Sequence, residues 1–233
     1  MTAPDGTRPT VASGMGVRIH RSPDLLVVEA PTPLAVVSTA VLGGGLTRAR
    51  RIVVVRVPRD YAGTDPAADI RRVARARGWA AEVGLMTAVP LDRTCLAAAS
   101  AEGVTALAAV TAGVRRLWSA GSGRGPVPGA GTINLIAILD GQLEPAAALN
   151  LLTTVTEAKV LALLEAGLRT GAGEPASGTA TDAVVVASPV EGAGRRWRYG
   201  GPATAPGWAV AAATRLALRR ALATDLGRGG DRP

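Results

Sequence analysis

Residues 131–166 read GTINLIAILDGQLEPAAALNLLTTVTEAKVLALLEA, and this stretch decides the fold class. The run 133–139 is apolar and rich in isoleucine, which predicts a strand. Proline follows an acidic residue at Glu144-Pro145, and alanine and leucine continue to Ala166, which predicts a long helix. Similar apolar runs and helical patterns alternate along the chain, so we expect an α/β or α+β fold.

The predicted helix 145–166 is apolar over most of its surface. At 100° per residue, one stripe collects the polar side chains Asn150, Thr153, Thr154 and Glu157. Roughly opposite lie Leu152, Val155, Lys159 and Leu163. We expect the three apolar side chains of this face to be nearly inaccessible to solvent. A charge among apolar neighbours needs a partner or a chemical role, because its desolvation costs several kcal/mol.

Further strands and helices are expected on both sides of this stretch. The predicted strands are 17–20, 25–29, 34–41, 52–57, 83–89, 104–110, 133–139 and 183–187. The predicted helices are 66–77, 145–166 and 208–226. The segments 38–88 and 111–188 repeat one order of elements, which suggests a duplicated β-β-α-β unit. We therefore expect layered mixed β-sheets with a buried central helix, in one domain over 17–226 between disordered arms at 1–16 and 227–233.

The composition excludes several classes of site. Apolar residues make up 48% of the 233 residues, which is enough for a large core and excludes global disorder. Cys95 is the only cysteine, so an intramolecular disulfide and a multi-cysteine zinc site are excluded. His20 is the only histidine, which excludes any site that needs two imidazoles.

Charge and hydropathy argue against nucleic-acid and membrane partners. The net charge is +8, but Lys159 is the only lysine, so 25 of the 26 basic residues are arginines, which occur in scattered short clusters. In an RNA-associated domain, basic residues would alternate with aromatic residues, and in this chain only residues 196–198 show such an alternation. The longest uncharged stretch, 30–47, contains two prolines and three consecutive glycines, which would break a spanning helix. Residues 1–16 show no signal-peptide pattern, so a cytoplasmic protein is expected.

Two glycine-rich stretches each lead into a predicted strand. Residues 128–134 read PGAGTIN and residues 177–182 read SGTATD. Each brings backbone N–H groups, hydroxyls and an amide or carboxylate to the mouth of a strand, although plain turns use the same residue types. Neither is a phosphate-binding loop, because no Gly-Lys-Ser/Thr follows, and the three glycines at 43–45 precede no helix with dinucleotide spacing.

Several short motifs follow one another in a particular order. They are STAVLGGG at 38–45, LMTA at 85–88, VTAGV at 110–114, GTIN at 131–134, TEAK at 156–159, GTATDAVVVA at 178–187 and YGG at 199–201. In this order the chain resembles the adenosylcobinamide amidohydrolases over roughly residues 24–224. TEAK followed by GTxTD is the most specific part. The chain departs from the family's pattern at 115–117, where Arg-Arg-Leu follows Thr-Ala-Gly-Val.

The resemblance implies an enzyme of corrinoid salvage. It would hydrolyse the amide that joins aminopropanol to a corrin side chain and release adenosylcobyric acid for re-entry into cobalamin synthesis. The partner is then the corrinoid substrate, adenosylcobinamide, which carries its own cobalt, so no cofactor and no metal site are expected. The alternative is a non-catalytic corrinoid-binding or carrier module, and the oligomeric state is left open.

Hydrolysis of an unactivated amide needs an attacking oxygen, a proton acceptor and a group that stabilises the oxyanion. We expect Glu157 to act as the general base, with Lys159 or Asp182 orienting it. The candidates for holding the oxyanion are the backbone amides of Gly131 and Thr132 and the side chain of Asn134. In a rival mechanism the nucleophile is a hydroxyl activated by Lys159, and the candidates are Ser38, Thr132 and Thr156.

The predicted substrate-binding residues come from all of the motifs between 38 and 182. They are Ser38, Gly43, Gly44, Thr87, Thr111, Gly131, Thr132, Asn134, Thr154, Thr156 and Thr181. If the motifs make one site, six side chains should surround a single cavity: Ser38, Thr87, Thr111, Asn134, Glu157 and Asp182. We expect this cavity to be large, because a corrin ring exceeds a drug-sized ligand.

Lysine at position 159 predicts a role that arginine cannot fill. Every other basic residue of the chain is arginine, whose wide planar fork differs from the compact charge of lysine. Lys159 could orient or activate the attacking group, or it could neutralise a buried carboxylate such as Asp182. The sequence leaves both roles open.

Overall fold

The computed structural model describes residues 10–11, 15–123, 131–190 and 195–227. Its strands are β1 (Thr10–Val11), β2 (Arg18–Arg21), β3 (Leu25–Ser38), β4 (Gly45–Arg56), β5 (Val83–Thr87), β6 (Cys95–Ala101), β7 (Val104–Ala112), β8 (Ile133–Leu139), β9 (Gln142–Leu143), β10 (Ala183–Pro189) and β11 (Arg196–Trp197). Its α-helices are α1 (Pro66–Arg75), α2 (Pro145–Glu165) and α3 (Ala205–Leu226). The predicted mixed α/β architecture is confirmed.

The topology contains the same β-β-α-β unit twice. In the first unit, β3 and β4 are antiparallel, α1 follows, and β5 returns parallel to β4. In the second unit, β7 and β8 are antiparallel, α2 follows, and β10 returns parallel to β8. Each helix serves as the crossover that a parallel strand requires. The repeated order suggested by the sequence is therefore present in the topology.

β3 joins the two parts of the sheet. Its first half pairs with β2, its second half pairs with β10, and β4 runs along both halves. The register shifts between Glu29 and Leu34, where two prolines lack the N–H that a regular ladder needs. The sequence predicts separate strands at 25–29 and 34–41, whereas the structure has one irregular strand.

Three clusters of buried side chains define the layers. The first lies between α2, α3 and one face of β6, β7, β8 and β10. The second lies between the opposite face of β7, β8 and β10 and the strands β2 to β5. The third joins the outer face of β3 and β4 to α1. Central strands are therefore covered on both faces, which explains their continuous apolar sequence.

α2 begins and ends close to the predicted positions. Pro145 occupies its first turn. The helix ends at Glu165, and Gly167, two positions further on, has a φ of +66°. The N–H groups of Gly167 and Leu168 donate to carbonyls of the last turn at 2.9 and 3.1 Å, as in a Schellman motif. The loop that follows is mostly exposed, and a hydrogen bond of 3.0 Å from the Ala176 N–H to the Leu168 carbonyl closes it.

One face of α2 packs against the sheet and α3. Val155 and Leu163 are fully buried, as predicted, whereas Leu152 is only half-buried. The other face is exposed and includes Leu161, which is 47% exposed. α2 therefore lies in an outer layer and not at the centre of the molecule. By length and composition α2 could cross a membrane, but a helix packed against a sheet on one face passes the same test.

The sequence misses strands where the side chains are small or charged. β4 begins at Gly45 and not at residue 52, because its arginine-rich first half still pairs with β3 while its side chains stay largely exposed. β6 reads CLAAASA, and alanine is depleted in strands. α3 begins at Ala205, because Thr204 caps it by accepting a hydrogen bond from the Gly207 N–H at 3.2 Å.

The predicted terminal arms lie largely outside the described residues. Within the N-terminal arm, 1–16, Thr10 and Val11 form β1, which pairs antiparallel with β2. Residues 1–9, 12–14 and 228–233 are among those that the structure does not describe.

Replacing Leu163 by alanine should lower the free energy of unfolding by about 2–5 kcal/mol, because it opens a cavity at a fully buried position. Leu161→Ala is the matched control on the same helix, and we expect a change of about 0.5 kcal/mol or less because this side chain is half exposed. Urea unfolding followed by circular dichroism measures both. Equal losses in the two variants would contradict the orientation of α2.

Candidate active site

A cavity of about 540 Å³ lies where the two β-β-α-β units meet. The first unit lines it with the carboxyl end of β5, the segment that follows β4, and Val41 in the turn before β4. The second unit lines it with the amino ends of β8 and β10. Strand ends are positions where polar side chains can face a ligand without interrupting the sheet, and the carboxyl ends of parallel strands commonly bind ligands.

Thr132 and Thr181 form the polar centre of the cavity wall. Their hydroxyl oxygens lie 2.7 Å apart, and the Thr181 hydroxyl donates to the Gly131 carbonyl at 3.1 Å. Because the Thr181 proton is used in this way, the Thr132 hydroxyl is the donor between the two threonines. The two residues precede β8 and β10, which are neighbouring parallel strands, and this pairing brings them together.

Asn134 carries an acceptor that is buried and unpaired. Its side chain lines the cavity, is almost fully buried, and donates through Nδ2 to the Met86 carbonyl of β5 at 2.9 Å. Its Oδ1 has no hydrogen-bond partner within the described residues, and neither has Oγ1 of Thr111, its cross-strand neighbour on β7. A buried polar atom without a partner is costly, so these atoms mark a place for a ligand or a water molecule.

A buried ion pair lies directly behind the two threonines. Lys159 Nζ is 2.6 Å from Asp182 Oδ2, and both side chains are 9% exposed. Asp182 also accepts a hydrogen bond from the Ile133 N–H at 3.0 Å, and it accepts from the N–H and the hydroxyl of Thr179 at 3.1 and 2.5 Å. Both carboxylate oxygens are therefore satisfied, as a buried charge requires. The pair ties α2 to the starts of β8 and β10.

Gly178 makes room for this ion pair. A Cβ at position 178 would lie 2.3 Å from Asp182 Oδ2 and 2.6 Å from Lys159 Nζ. The GTATD motif therefore requires glycine at position 178, because the ion pair leaves no space for a side chain there. Of the two roles considered for Lys159, neutralisation of Asp182 has the geometry that it requires.

The segment after β4 covers another side of the cavity. Tyr61 lines the cavity, and its hydroxyl donates to Asp69 Oδ2 of α1 at 2.6 Å. Loss of water around the phenol, followed by the hydrogen bond to Asp69, raises the pKa of Tyr61 to about 12. Tyr61 is therefore a neutral hydrogen-bond donor at neutral pH, and its bond to Asp69 anchors this segment to α1.

Ser38 ends β3, Gly43 and Gly44 lie in the turn between β3 and β4, and none of the three is among the lining residues. The Ser38 hydroxyl donates to the Gly43 carbonyl at 3.4 Å. Gly43 has a φ of +67°, and a Cβ there would lie 2.0 Å from the Glu82 carbonyl oxygen, so the turn requires glycine. Val41, which lies in the same turn, does line the cavity.

Glu157 lies elsewhere on the molecule. It is two positions from Lys159 on α2, so the two side chains point about 200° apart. Glu157 is exposed and lines, with Thr154, a groove between α2 and α3. The hydroxyls of Thr154 and Thr156 donate to backbone carbonyls at 3.1 and 2.9 Å. The expectation that Glu157 shares a cavity with Asn134 is therefore wrong.

The structure brings together only part of the predicted set. Thr87, Thr132, Asn134 and Thr181 line the cavity, whereas Thr111, Gly131, Lys159 and Asp182 are not in its lining but are hydrogen-bonded or paired to residues next to it. The cavity is also of ordinary size for a small-molecule site, not unusually large as expected.

Apart from Thr87, the wall that the first unit contributes was not predicted from the sequence. This wall includes Arg59, Asp60, Tyr61 and Ala62, which follow β4. The parallel pairing of β4 with β5 places this segment at the same sheet end as Thr87, so the pairing was the signal that could have found it. The motifs alone carry no such signal, because none of them includes residues 59–62.

Comparisons with known proteins point to one family. A family model described as adenosylcobinamide amidohydrolase matches residues 10–230. The adenosylcobinamide amidohydrolase of Methanosarcina mazei is 37% identical over 147 residues, which are 63% of this chain and 66% of that protein.

Two solved structures show a distant likeness. A β-aminopeptidase from a Burkholderia species has a TM-score of 0.45 and 19% identity, with 89% of this chain and 80% of that chain covered. The PH0078 protein from Pyrococcus horikoshii OT3 has a TM-score of 0.45 and 12% identity, with 93% and 81% covered.

Lys159→Met should lower the free energy of unfolding by about 3–5 kcal/mol, because it leaves the Asp182 carboxylate buried without its partner. Lys159→Arg keeps the charge but is larger, so overpacking should cost about 1–3 kcal/mol. Combining Lys159→Met with Asp182→Asn should recover part of the loss, because the unpaired charge is gone. Denaturant unfolding compares the variants, and a Lys159→Met protein as stable as the wild type would contradict the role of the pair.

The phenol of Tyr61 should ionise near pH 12, and the free energy of unfolding should fall as it ionises. Because the folded-state pKa lies above the ordinary value of 10.0, the contribution of Tyr61 is fully present below about pH 10 and is lost as the pH rises towards 12. The tyrosinate absorbance of the wild type minus that of Tyr61→Phe isolates this titration. Asp69→Asn should shift the step to lower pH, and an unshifted step near pH 10 in the wild type would refute the assignment.

Proposed function

Because the chain belongs to the adenosylcobinamide amidohydrolase family, we infer that it hydrolyses the amide between the corrin side chain and the aminopropanol of adenosylcobinamide. The products are adenosylcobyric acid and aminopropanol, and the corrinoid re-enters cobalamin synthesis. The family match over residues 10–230 carries this inference. The two most specific motifs also meet in space, since Lys159 of TEAK pairs with Asp182 of GTATD.

We propose the Thr132 hydroxyl as the attacking oxygen. Of the three hydroxyls considered from the sequence, Thr132 is the one that lines the cavity. Ser38 donates to a carbonyl of its own turn, and Thr156 donates to a carbonyl of its own helix. Glu157 has no part in this proposal, because it faces a different groove.

The reaction would then proceed through an ester. The Thr132 oxygen bonds to the carbonyl carbon, the carbon–nitrogen bond breaks, and the hydroxyl proton is transferred to the departing amine. Water then attacks the ester, which releases the corrinoid carboxylic acid and restores the threonine. The hydrogen bond from Thr132 to Thr181 supports this assignment, because it holds the proton on one side and leaves the oxygen lone pairs for the substrate.

Asn134 is proposed to bind the nitrogen side of the scissile amide. Its Nδ2 already donates to the Met86 carbonyl, so its unpaired atom is the acceptor Oδ1. This oxygen can accept the substrate N–H, but it cannot stabilise an oxyanion. In the proposal, the oxyanion is held by the backbone N–H groups of Gly131 and Thr132.

Lys159 and Asp182 act as positioning residues in this proposal. Asp182 accepts the N–H of Ile133, the residue after Thr132, and Asp182 itself follows Thr181. The pair therefore holds both hydroxyl-bearing segments from behind. With its hydrogen bonds to Lys159, Ile133 and Thr179, the carboxylate is better suited to this task than to proton transfer.

We further propose that cobalt enters only as part of the substrate and that the reaction takes place in the cytoplasm. Across the described ranges, no group of three or more His, Cys, Asp or Glu side chains is arranged as metal ligands. The proposed steps use hydroxyls, backbone amides and Asn134.

Purified protein incubated with adenosylcobinamide should release aminopropanol and adenosylcobyric acid, measured by mass spectrometry. Thr132→Val keeps the shape but removes the nucleophile, so turnover should fall by about 10³-fold or more. Thr132→Ser should keep turnover within about tenfold, and Glu157→Gln is the control that should leave it unchanged. Unimpaired turnover in Thr132→Val would remove Thr132 from the mechanism. A wild-type protein that binds the corrinoid without cleaving it would favour the carrier alternative.

A further inference from the structure

The cavity is too small for the whole substrate. Its volume of about 540 Å³ lies within the range of about 300–1,000 Å³ that is usual for sites of drug-sized ligands. Adenosylcobinamide, with its corrin ring and adenosyl group, is much larger than a drug-sized ligand. The side chain that carries the scissile amide and aminopropanol needs only a small part of this volume and fits within it.

The mouth of the cavity carries exposed apolar side chains. Val41 both lines the cavity and is 54% exposed, although β-branched apolar residues are usually buried. Ala62 and Pro58, which also line the cavity, are likewise exposed. Val41 comes from the turn after β3, whereas the other two follow β4, so exposed apolar groups from two chain segments share one opening.

Hydrogen bonds hold both chain segments that form this mouth in place. The turn that carries Val41 is joined to β5 by paired backbone hydrogen bonds between Leu42 and Gly84, at 3.2 and 2.9 Å. The segment that carries Ala62 is held by the Tyr61–Asp69 hydrogen bond. An apolar surface on such supports loses little conformational entropy when a rigid ligand covers it.

We propose that the corrin ring stays outside the cavity and rests on the mouth formed by Val41, Pro58 and Ala62, while only the amide-bearing side chain enters. This inference rests on the proposed function, because it takes the family's corrinoid as the ligand. The distribution of side chains supports it. The inner wall holds Thr132, Asn134 and Thr181 for an amide, whereas Val41, Pro58 and Ala62 at the rim offer apolar contacts for the methyl-rich edge of a macrocycle. Arg59 and Asp60 are exposed beside them, where they can face the amide groups at the edge of the ring.

The groove between α2 and α3 is also apolar, but it does not suit the ring. It is lined by Leu161, Trp208 and Leu216, and these residues are not among those that line the cavity containing Thr132. A ring bound in that groove would leave its amide side chain away from the proposed nucleophile.

The test uses Val41→Asp, with Leu46→Asp as the matched control. Leu46 is likewise an exposed apolar residue, at 65%, but it lines a different groove. Adenosylcobyric acid keeps the ring and lacks the aminopropanol, and its dissociation constant can be measured by equilibrium dialysis through the visible absorbance of the corrin. Val41→Asp should weaken its binding by about tenfold or more, because the variant loses an apolar contact and places a carboxylate against the ring. Leu46→Asp should leave binding unchanged.

Further measurements distinguish binding of the corrin ring from the reaction of its amide side chain. Ala62→Asp, on the other chain segment of the mouth, should weaken the binding of adenosylcobyric acid in the same way as Val41→Asp. Both variants should raise KM for adenosylcobinamide while kcat stays within about twofold, because the inner wall is unchanged. Equal binding of adenosylcobyric acid by Val41→Asp and the wild type would overturn the proposal. Failure of the wild type to release aminopropanol would instead refute the proposed function, so the two failures are distinguishable.

Discussion

The ion pair between Lys159 and Asp182 is the constraint on which the site depends. Removing two charges from water costs several kcal/mol for each ion, and the pair persists because every carboxylate oxygen also accepts hydrogen bonds from the protein. One helix and the starts of two strands are thereby joined at a single point. Thr132 precedes a residue bonded to Asp182, and Thr181 precedes Asp182 itself. The hydroxyl pair cannot move into or out of the cavity unless this ionic junction moves with it.

Two units of equal topology make different contributions to the cavity. The second unit supplies two hydroxyls and an amide at the amino ends of β8 and β10. The first supplies a phenol, several apolar side chains, the Thr87 hydroxyl and the charged Arg59 and Asp60, all from the end of β5 and from the segments beside β4. Opposite strand ends meet because the second cluster of buried side chains stacks the two parts of the sheet face to face. The site therefore belongs to the packing between the units, and neither unit contains it alone.

Local chemistry explains why some features could be predicted from the sequence. The apolar run 133–139 and the proline that opens α2 have direct local causes, and both are found close to the predicted positions. The sequence did not determine the partner of Lys159, because a distant carboxylate cannot be identified from helical periodicity. Glu157 and Lys159 belong to one motif, yet the helix turns them to opposite sides, and membership of a motif was mistaken for proximity. The wall around Tyr61 depends on strand pairing between distant segments, which no local pattern records.

The exposed loop after Gly167 has an evolutionary consequence. Lys159 and Asp182 are 23 positions apart, and the chain between them consists of the end of α2, this loop and the turn that leads into β10. One residue added to the helix before Gly167 would displace everything that follows it by 100° about the helix axis. Residues added to the loop would project into solvent and leave the ionic junction intact. Natural variation in length between the two charged residues should therefore accumulate in the loop, and α2 should keep a constant number of residues from Lys159 to its end.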